Sequence, residues 1–349
     1  MRVFITGNKG YIGTVMTPMM LAAGHDVVGL DSDLYRNCTF GDAPLDVPTL
    51  YKDIRDVTPG DLAGFDAVVH LAALSNDPLG NLDRALTLSI NYEGSVHLAR
   101  MAKQAGVSRF LFSSSCSLYG AGGDDMLTEE AEFNPVTVYG ETKVMAEHDI
   151  AALADDDFSP TFFRNATAYG LSPRHRFDLV LNNLMAWAVA TGNVHIKSDG
   201  TPWRPIVHIG DISGAYLAAL AAPREVVHNQ ALNVGANGEN YRIRELATIV
   251  QETVPGSQVT FAADASPDLR NYRVNFDKIG RVLPGFQPQW TARRGAQQLY
   301  EAYVRLGVTL DEFEGPKYRR VDHIKLLLAE GVIDGALRRT APLADKVGA

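Results

Sequence analysis

The chain has 349 residues, of which 46% are hydrophobic and 21% are charged, and its formal net charge at pH 7 is −9. This composition is typical of a soluble globular protein, and the length predicts one large core with a smaller companion. The acidic balance argues against nucleic acid or an anionic membrane as the main partner, because either would need a basic face.

Cysteine content and apolar runs exclude further classes of protein. The two cysteines, Cys38 and Cys116, cannot form a disulfide framework, and no Cys/His cluster has metal-ligand spacing, so no metal site is predicted. We find no signal peptide and no apolar run that approaches about 18 residues. A cytoplasmic protein that does not enter a membrane is therefore expected.

The first elements of the chain form a compact motif. Residues 2–6 are a short apolar run that predicts a buried parallel strand, and Gly7, Gly10 and Gly13 follow at the spacing GxxGxxG. These glycines would allow a tight turn, a close approach of a pyrophosphate, and close packing of the next helix on the strand. The N-terminus of that helix would offer its free N–H groups to the phosphates. Pro18 lies inside this helix and predicts a kink rather than a break.

An acidic residue ends the second predicted strand. Residues 27–30 are apolar and are followed by Asp31, whose carboxylate can accept both ribose hydroxyls of an adenosine and would repel a 2′-phosphate. Strand, glycines, helix, strand and acid in this order predict a site for NAD rather than NADP. The alternative is the same fold with a vacant or lost site.

Strands and helices continue to alternate up to about residue 168. The predicted strands are 51–54, 67–71, 109–112 and 161–164, and the predicted helices are 84–105 and 138–153. This alternation predicts βαβ units in an α/β fold, a Rossmann-type doubly wound parallel sheet with ligands beyond the carboxyl ends of its strands.

The regular alternation stops near residue 169. We predict helices over 179–191, 211–221, 242–254 and 322–330, strands over 206–209 and 232–234, and a loop over 197–205. Residues 1–168 with about 205–235 are predicted to form the dinucleotide domain. Residues 169–204 and 236–335 would form a smaller, discontinuous C-terminal α/β substrate domain, with a tail at 336–349.

Two motifs at the predicted sheet edge indicate catalysis. A serine-rich run, SSSCSLYG, starts at Ser113 after the strand at 109–112, and YGETK starts the helix at 138–153. The i, i+4 spacing places Tyr139 and Lys143 on one helical face, where the ammonium would lower the tyrosine pKa from about 10. Tyr139 would then act as general base or acid, with Ser115 bonded to the same substrate hydroxyl. Taken alone, such a pair is usually a solvated surface.

Together these motifs resemble those of the extended short-chain dehydrogenases/reductases that act on nucleotide sugars, over roughly residues 1–290. The resemblance looks closest to the UDP-glucose 4-epimerase-like members. It implies NAD as cofactor, a nucleotide-diphosphate sugar as substrate, and a homodimer formed by the helices at 84–105 and 138–153. It also implies Ser115, Tyr139 and Lys143 as the catalytic residues.

Position 117 distinguishes the reactions of this family. Its dehydratases and decarboxylases carry an acid–base Glu there, and its GDP-sugar 3,5-epimerases carry a Cys, whereas this chain has Ser117. A hydroxyl of ordinary pKa is a poor proton donor for the elimination of water, so dehydration is disfavoured and C4 epimerisation is favoured. Cys116 is one position away from the reactive cysteine and is expected to be a small buried residue.

The resemblance extends to the residues that would hold each ligand. The cofactor residues are predicted to be Gly7, Gly10, Tyr11, Ile12, Gly13, Asp31, Asp53, Ile54, Leu71, Ala72, Ala73, Asn91, Ser113, Tyr139 and Lys143. The substrate residues are predicted to be Ser75, Ser115, Cys116, Ser117, Thr167, Asn182, Asn183, Arg204 and Arg270. Two guanidinium groups would supply the bidentate bonds that a diphosphate needs.

Two positions depart from the family pattern, and other functions stay open. Thr167 stands where the family often has Asn, and Ser75 where 4-epimerases commonly have Lys. His70, His175 and His208 are expected to be structural. The alternatives are an NAD-dependent dehydrogenase or reductase of a nucleotide sugar or sugar-like alcohol, and a non-catalytic NAD-binding sensor.

Overall fold

The protein was analysed as a computed structural model that describes residues 1–75, 83–266, 270–341 and 343. Its strands are β1 (Arg2–Thr6), β2 (Asp26–Leu30), β3 (Thr49–Leu50), β4 (Ala67–His70), β5 (Arg109–Ser115), β6 (Ala121–Leu127), β7 (Ser159–Asn165), β8 (Thr167–Tyr169), β9 (Asn193–Ser198), β10 (Trp203–His208), β11 (Gln230–Val234), β12 (Asn240–Arg242), β13 (Gln258–Ser266) and β14 (Asn271–Val274). Its α-helices are α1 (Gly13–Ala22), α2 (Arg84–Thr87), α3 (Gly94–Gln104), α4 (Val138–Ala151), α5 (Val180–Thr191), α6 (Ile209–Ala221), α7 (Arg224–Val227), α8 (Ile243–Thr253), α9 (Asp277–Val282), α10 (Ala292–Leu306), α11 (Leu310–Phe313) and α12 (Arg320–Ala329).

Seven parallel strands form the central sheet in the order β11-β7-β5-β4-β1-β2-β3. The order reverses at β1, which lies between β4 and β2, so a crevice opens there beyond the carboxyl ends of the strands. The predicted α/β fold with a Rossmann-type parallel sheet is confirmed. The helix predicted after the glycine motif is also found, as α1 from Gly13, and it continues through Pro18 without a break.

Both faces of this sheet are covered because successive strand residues point to opposite sides. Val3 and Ile5 face a core that includes residues of α1 and α6, such as Met16 and Ile212. Phe4, between them in β1, faces a second core on the other side, with residues of α3 and α4. The apolar strands are therefore buried on both faces, and polar side chains can reach a ligand only at the strand ends.

One local prediction was wrong, and another was confirmed with an irregularity. The third strand is Thr49–Leu50 rather than residues 51–54, because Asp53 caps a short 3-10 turn over Ile54–Asp56 by accepting a hydrogen bond from the N–H of Arg55. The single helix predicted over 84–105 is divided into α2 and α3 by a π-helical turn, Leu88–Glu93. Periodicity alone did not distinguish that turn from α-helix.

The second half of the chain adds a smaller α/β region. It contains the sheets β12-β10-β8 and β13-β9, while β14 pairs with β6, and helices α5, α8 and α10 pack in a separate hydrophobic core. The loop predicted at 197–205 is present but shorter, at residues 199–202, because β9 ends at Ser198 and β10 begins at Trp203. Of the two later strands that were predicted, 232–234 lies in the central sheet as part of β11, whereas 206–209 overlaps β10 outside it. The domain boundaries themselves stay a prediction.

The end of the described chain is packed against the protein. The sequence predicts a tail from residue 336; within residues 336–341, Leu337 is buried and Arg339 forms a β-bridge with Ile333. Residues 342 and 344–349 lie outside the described part of the chain. Within the part that is described, no helix has both the length and the apolar character needed to cross a membrane.

Candidate active site

A cavity of about 970 Å³ lies at the carboxyl ends of the central strands, at the position where the strand order reverses. Most of the residues predicted from the sequence line its wall: Gly7, Gly10, Tyr11, Ile12, Gly13, Asp31, Asp53, Ile54, Leu71, Ala72, Ala73, Ser75, Ser113, Ser115, Ser117, Tyr139, Lys143, Thr167, Asn183, Arg204 and Arg270. The fold therefore brings together segments from almost the whole length of the chain.

The glycine loop forms one end of this cavity. The N–H of Gly7 donates to the carbonyl of Leu30 at 2.8 Å, and the N–H of Gly10 donates to the carbonyl of Gly7 at 3.0 Å. Gly7 has a φ of 77°, which favours glycine, and a Cβ on Gly13 would lie 2.1 Å from the carbonyl oxygen of Gly7. A Cβ on Gly10 would lie 3.1 Å from the same carbonyl oxygen. The loop thus has the close-packed, side-chain-free surface that a pyrophosphate needs.

Asp31 lies at the end of β2 beside this loop. Its carboxylate accepts hydrogen bonds from the backbone N–H groups of Lys9, at 3.0 Å, and Asp33, at 2.7 Å. Burial raises the pKa of Asp31 to about 6, so the carboxylate is mainly ionised at neutral pH. An anionic acceptor on the cavity wall suits the two hydroxyls of an adenosine ribose, and these residues therefore fit NAD.

Helix α4 presents the tyrosine and lysine to the cavity from its first two turns. The helix starts where the N–H of Gly140 donates to Oγ1 of Thr137, its N-cap, at 3.1 Å. Lys143 lies one turn after Tyr139, and its Nζ is 5.5 Å from the centroid of the tyrosine ring. The same Nζ donates to the backbone carbonyl of Ser113 at 2.6 Å, which attaches the helix to the end of β5.

Lys143 is buried, and burial lowers the pKa of its ammonium to about 7. Near neutral pH the side chain of Lys143 is therefore close to half-protonated. A phenolate that develops at Tyr139 would stabilise its protonated form. Opposite the helix, Ser115 ends β5, and its Oγ accepts a hydrogen bond from the N–H of Ser117 at 3.1 Å. The arrangement combines a phenol, an ammonium and two hydroxyls on one wall.

Three predicted site residues lie outside the cavity wall, and their contact with a ligand stays a prediction. Asn91, in the π-helical turn, uses its amide to bond both the N–H and the carbonyl of Leu74, at 2.8 and 3.0 Å. Cys116 is completely buried, and its thiol donates to the carbonyl of Arg164. Asn182 accepts from the N–H of Gly170 and donates to the carbonyl of Arg176. All three support the wall from behind.

The predicted structural histidines lie behind the cavity as well. His70 bonds Oγ1 of Thr6 at 2.7 Å and Oγ of Ser95 at 2.9 Å, and burial lowers its pKa to about 3. Burial also lowers the pKa of His175 to about 3 and that of His208 to about 4. Neutral, hydrogen-bonded rings of this kind stabilise packing rather than catalyse.

An ion pair in the cavity wall was not predicted from the sequence. The guanidinium of Arg176 makes two bonds to the carboxylate of Asp178, at 2.7 and 3.0 Å, and donates to the hydroxyl of Ser75 at 3.1 Å. Both partners line the cavity. The i, i+2 spacing of opposite charges in RHRFD was the available signal. Tyr35, Arg320 and Leu337 also line the cavity, and nothing local in the sequence indicated them.

This geometry agrees with the comparisons with known proteins. A family model described as NAD dependent epimerase/dehydratase matches residues 3–235, well over half of the chain. The chain belongs to this family. The resemblance inferred from its motifs is confirmed, and so is NAD as the cofactor, because the family is NAD-dependent. Membership makes the protein an enzyme of the NAD-dependent epimerase/dehydratase type.

Individual relatives match most of the chain at low sequence identity. UDP-glucose 4-epimerase of Bacillus subtilis is 25% identical over 332 residues, which cover 86% of this chain and 94% of the relative. The structure of MoeE5 in complex with UDP-glucuronic acid and NAD is 26% identical, with a TM-score of 0.76 over 87% of this chain and 99% of that one.

A third relative catalyses a different reaction. The dTDP-glucose 4,6-dehydratase DesIV of Streptomyces venezuelae, with NAD and TYD bound, is 25% identical with a TM-score of 0.74, over 87% of this chain and 97% of its own. Since an epimerase and a dehydratase are equally similar to this chain, overall similarity does not choose between their reactions. The choice between epimerisation and dehydration therefore depends on the residues that line the cavity.

Proposed function

We propose that the protein is an NAD-dependent nucleotide-sugar epimerase that inverts C4 through a transient 4-keto sugar. One observation carries the proposal: Ser115, Ser117, Tyr139 and Lys143 line the same cavity as the glycine loop and Asp31. A secondary alcohol placed at this wall would meet a base, a hydrogen-bond donor and the cofactor together. When bound, NAD supplies the acceptor and then the donor of one hydride.

The phenol of Tyr139 is the proposed general base and acid. It takes the proton of the sugar 4-hydroxyl as the ketone forms, and it returns that proton when the alcohol is restored with the opposite configuration. The ammonium of Lys143, one helical turn away, stabilises the phenolate, and the hydroxyl of Ser115 bonds the reacting oxygen. Because the proton and the hydride both return to the sugar, the complete cycle consumes no oxidant or reductant.

Serine at position 117 supports epimerisation over dehydration. Loss of water from a 4-keto sugar needs an acid that can donate a proton to the leaving hydroxyl, and the hydroxyl of Ser117 does so poorly. The carboxylate of Asp178 also lines the cavity, but it is ion-paired with Arg176, and this pairing lowers the pKa of Asp178 against the opposing effect of burial, to about 2. An acid of that strength is deprotonated at neutral pH and cannot donate.

The substrate end of the cavity supplies positive charge for a diphosphate. Arg204 and Arg270 line it together, and Arg204 donates to the backbone carbonyls of Trp203 and of Arg270. We propose that the two guanidiniums bind the diphosphate and that Asn183 and Thr167 contact the nucleotide sugar beside it. Binding energy from the nucleotide would then hold the substrate while the hexose turns over between the two hydride transfers.

The proposal is tested by product analysis. The purified protein is incubated with UDP-glucose, UDP-glucuronic acid, dTDP-glucose and GDP-mannose, without added NADH, and the sugars are identified by NMR. We expect one donor to yield its C4 epimer, with no net change in NADH absorbance. A protein that holds NAD but inverts C4 of none of these donors contradicts the proposal. Stoichiometric formation of NADH would instead indicate the dehydrogenase that the sequence left open.

The assembly of the enzyme is part of the same proposal. We expect a homodimer in which α3 and α4 of the two protomers form a four-helix bundle, and a cytoplasmic location. In the monomer α3 and α4 contact each other, and Tyr92, in the π-helical turn before α3, donates from its hydroxyl to the carboxylate of Asp149 in α4 at 2.6 Å. Light scattering of the purified protein tests the dimer directly.

A further inference from the structure

The last described part of the chain returns to the cofactor end of the cavity. We name residues 318–341 the C-terminal strap; it lies wholly beyond residue 235, where the match to the family ends. It contains α12 and the β-bridge between Ile333 and Arg339. The strap contacts two segments, one that follows Asp31 and one that contains Ile54. Two of its own side chains also reach the cavity.

The first segment is the loop that follows β2. The guanidinium of Arg339 donates to the carbonyls of Ser32 and Asp33, both at 2.7 Å, and these residues follow Asp31 directly. The ring of His323 donates to the carbonyl of Leu34 at 3.0 Å. The guanidinium carbon of Arg320 lies 3.6 Å from the centroid of the Tyr35 ring, a cation–π contact. The strap is thus bound to this loop along its length.

The second segment, residues 54–56, follows β3. Arg55 donates from its guanidinium to the carbonyl of Ala336 at 2.8 Å, and Arg338 is ion-paired with Asp56. Apolar packing fills the space between, where Ile324, Leu327, Ile333 and Leu337 form one cluster with Leu74. The strap therefore joins the two loops instead of lying on one of them.

Two side chains of the strap form part of the cavity wall. Leu337 and Arg320 line it together with Asp31, Tyr35 and Ile54. Leu337 has a φ of 56°, a left-handed conformation that is strained for a branched side chain. Such strain persists only where surrounding contacts maintain it. Here the two neighbours of Leu337 are both fixed: the carbonyl of Ala336 accepts from Arg55, and Arg338 is ion-paired with Asp56.

We infer that the C-terminal strap is part of the cofactor site: Leu337 and Arg320 close the adenosine end of the NAD cavity, and Arg339 holds the strap in place. Bound NAD then leaves or enters quickly only when the strap is displaced. The inference rests on the proposed placement of the adenosine at Asp31. It does not depend on the reaction that the enzyme catalyses.

The first experiment measures the exchange of NAD. Holoenzyme is mixed with excess etheno-NAD, and release of bound NAD is followed by fluorescence; association is measured with protein freed of NAD. Because Arg339→Gln removes the two bonds to Ser32 and Asp33, we expect both rate constants to rise about tenfold, which corresponds to ~1.4 kcal/mol in each barrier. The control is Arg293→Gln, a surface ion-pair partner of Glu252. Exchange that stays within twofold of the wild type overturns the inference.

A second variant separates a cofactor contact from a purely structural role. Leu337→Gly removes the side chain from the wall and relieves the strained φ. We expect the dissociation constants of NAD and of ADP-ribose, which lacks nicotinamide, to rise by the same factor of about ten. The control is Leu328→Ala, on an exposed position of α12. A lower Tm with unchanged affinity for both ligands would show that the strap only stabilises the fold.

These measurements are independent of the proposed reaction. They use NAD, etheno-NAD and ADP-ribose alone, so an enzyme that fails to invert C4 can still show the strap effect. Conversely, C4 inversion with unaltered NAD exchange in Arg339→Gln would leave the proposed function intact and remove the strap from the cofactor site.

Discussion

The two ends of the cavity are built in different ways. At the cofactor end, Gly7, Gly10, Gly13 and Asp31 lie within the first 31 residues, and the backbone of one strand–turn–helix unit provides the surface. At the proposed substrate end, Thr167, Asn183, Arg204 and Arg270 come from four segments spread over about a hundred residues, and side chains would provide the chemistry. Local geometry forms the first end, whereas tertiary packing assembles the second.

The proposed catalytic wall, with Ser115, Tyr139 and Lys143, combines both kinds of construction. Tyr139 and Lys143 are related by one helical turn, but their approach to Ser115 depends on the pairing of β5 with the centre of the sheet. We therefore expect substitutions at the wall to lower kcat, those at the substrate end to raise KM, and those at the cofactor end to change affinity for NAD. The following variants test this division, from the largest expected effect to the smallest.

Tyr139→Phe removes only the phenolic hydroxyl. We expect kcat for C4 inversion to fall about a thousandfold, because general acid–base groups contribute 10²–10⁴-fold, while NAD content and KM change little. Steady-state assays and the absorbance of released cofactor measure these quantities. Tyr300→Phe, at a partly buried tyrosine packed against the core formed by α5, α8 and α10, is the matched control. A loss of less than tenfold would mean that another group carries the proton.

Lys143→Met tests the neighbour of that phenol, and we expect kcat to fall about a hundredfold as the phenolate loses its stabilising charge. Stability provides a second readout in protein freed of NAD. Burial lowers the pKa of Lys143 to about 7, so between pH 7 and the ordinary lysine pKa the unfolded chain binds a proton that the folded chain does not. The free energy of unfolding should therefore rise with pH across this window.

The size of that pH effect separates Lys143 from other titrating groups. From pH 7 to about pH 9 the wild type should gain about 2 kcal/mol more than Lys143→Met, as measured by urea unfolding. If the free energy of unfolding rises equally in the two proteins, Lys143 remains charged in the folded state. Its pKa would then not be lowered to about 7.

The same division explains which parts of the site could be predicted from the sequence. The glycine loop, Asp31 and the Tyr139–Lys143 pair have fixed local spacings, so their placement follows from strand and helix geometry. Asn182 and Asn183 were predicted together, yet only Asn183 lines the cavity, because adjacent helical residues point about 100° apart. Direction around a helix depends on what the helix packs against, and periodicity did not determine it here.

Most features of the site that were not predicted from the sequence are contacts between residues far apart in the chain. Arg339 bonds Asp33 across 306 positions in sequence, and Arg176 bonds Ser75 across 101. No local pattern encodes such pairs, since each is formed by two surface-like segments that meet only in the folded chain. The misplaced third strand has a different cause. An apolar residue, Ile54, is buried in a 3-10 turn, and short apolar runs do not distinguish turn from strand.

Arg204→Met tests the substrate end. Loss of charge-assisted bonds, each contributing about 1.5–3 kcal/mol, should raise KM for the nucleotide sugar roughly 10- to 100-fold with kcat nearly unchanged. The dissociation constant of UDP, measured by calorimetry, should rise by a similar factor. Arg293→Met, at an exposed position, is the control. If kcat falls and KM does not, Arg204 acts on the sugar instead of the diphosphate.

Asp31→Asn tests the cofactor end and carries the smallest expected effect. Burial raises the pKa of Asp31 to about 6, and only the ionised carboxylate can accept hydrogen bonds from both ribose hydroxyls through both of its oxygens. In the wild type, affinity for NAD should therefore fall as the pH drops through about 6, reaching roughly tenfold weaker binding near pH 5. The amide cannot be protonated in this range, so Asp31→Asn should bind NAD about tenfold more weakly at pH 8 and lack the step at pH 6. Asp26→Asn, at the exposed start of β2, should keep it. A step that survives in Asp31→Asn would place the titrating group elsewhere, and the cofactor end would then owe its affinity to the glycine loop alone.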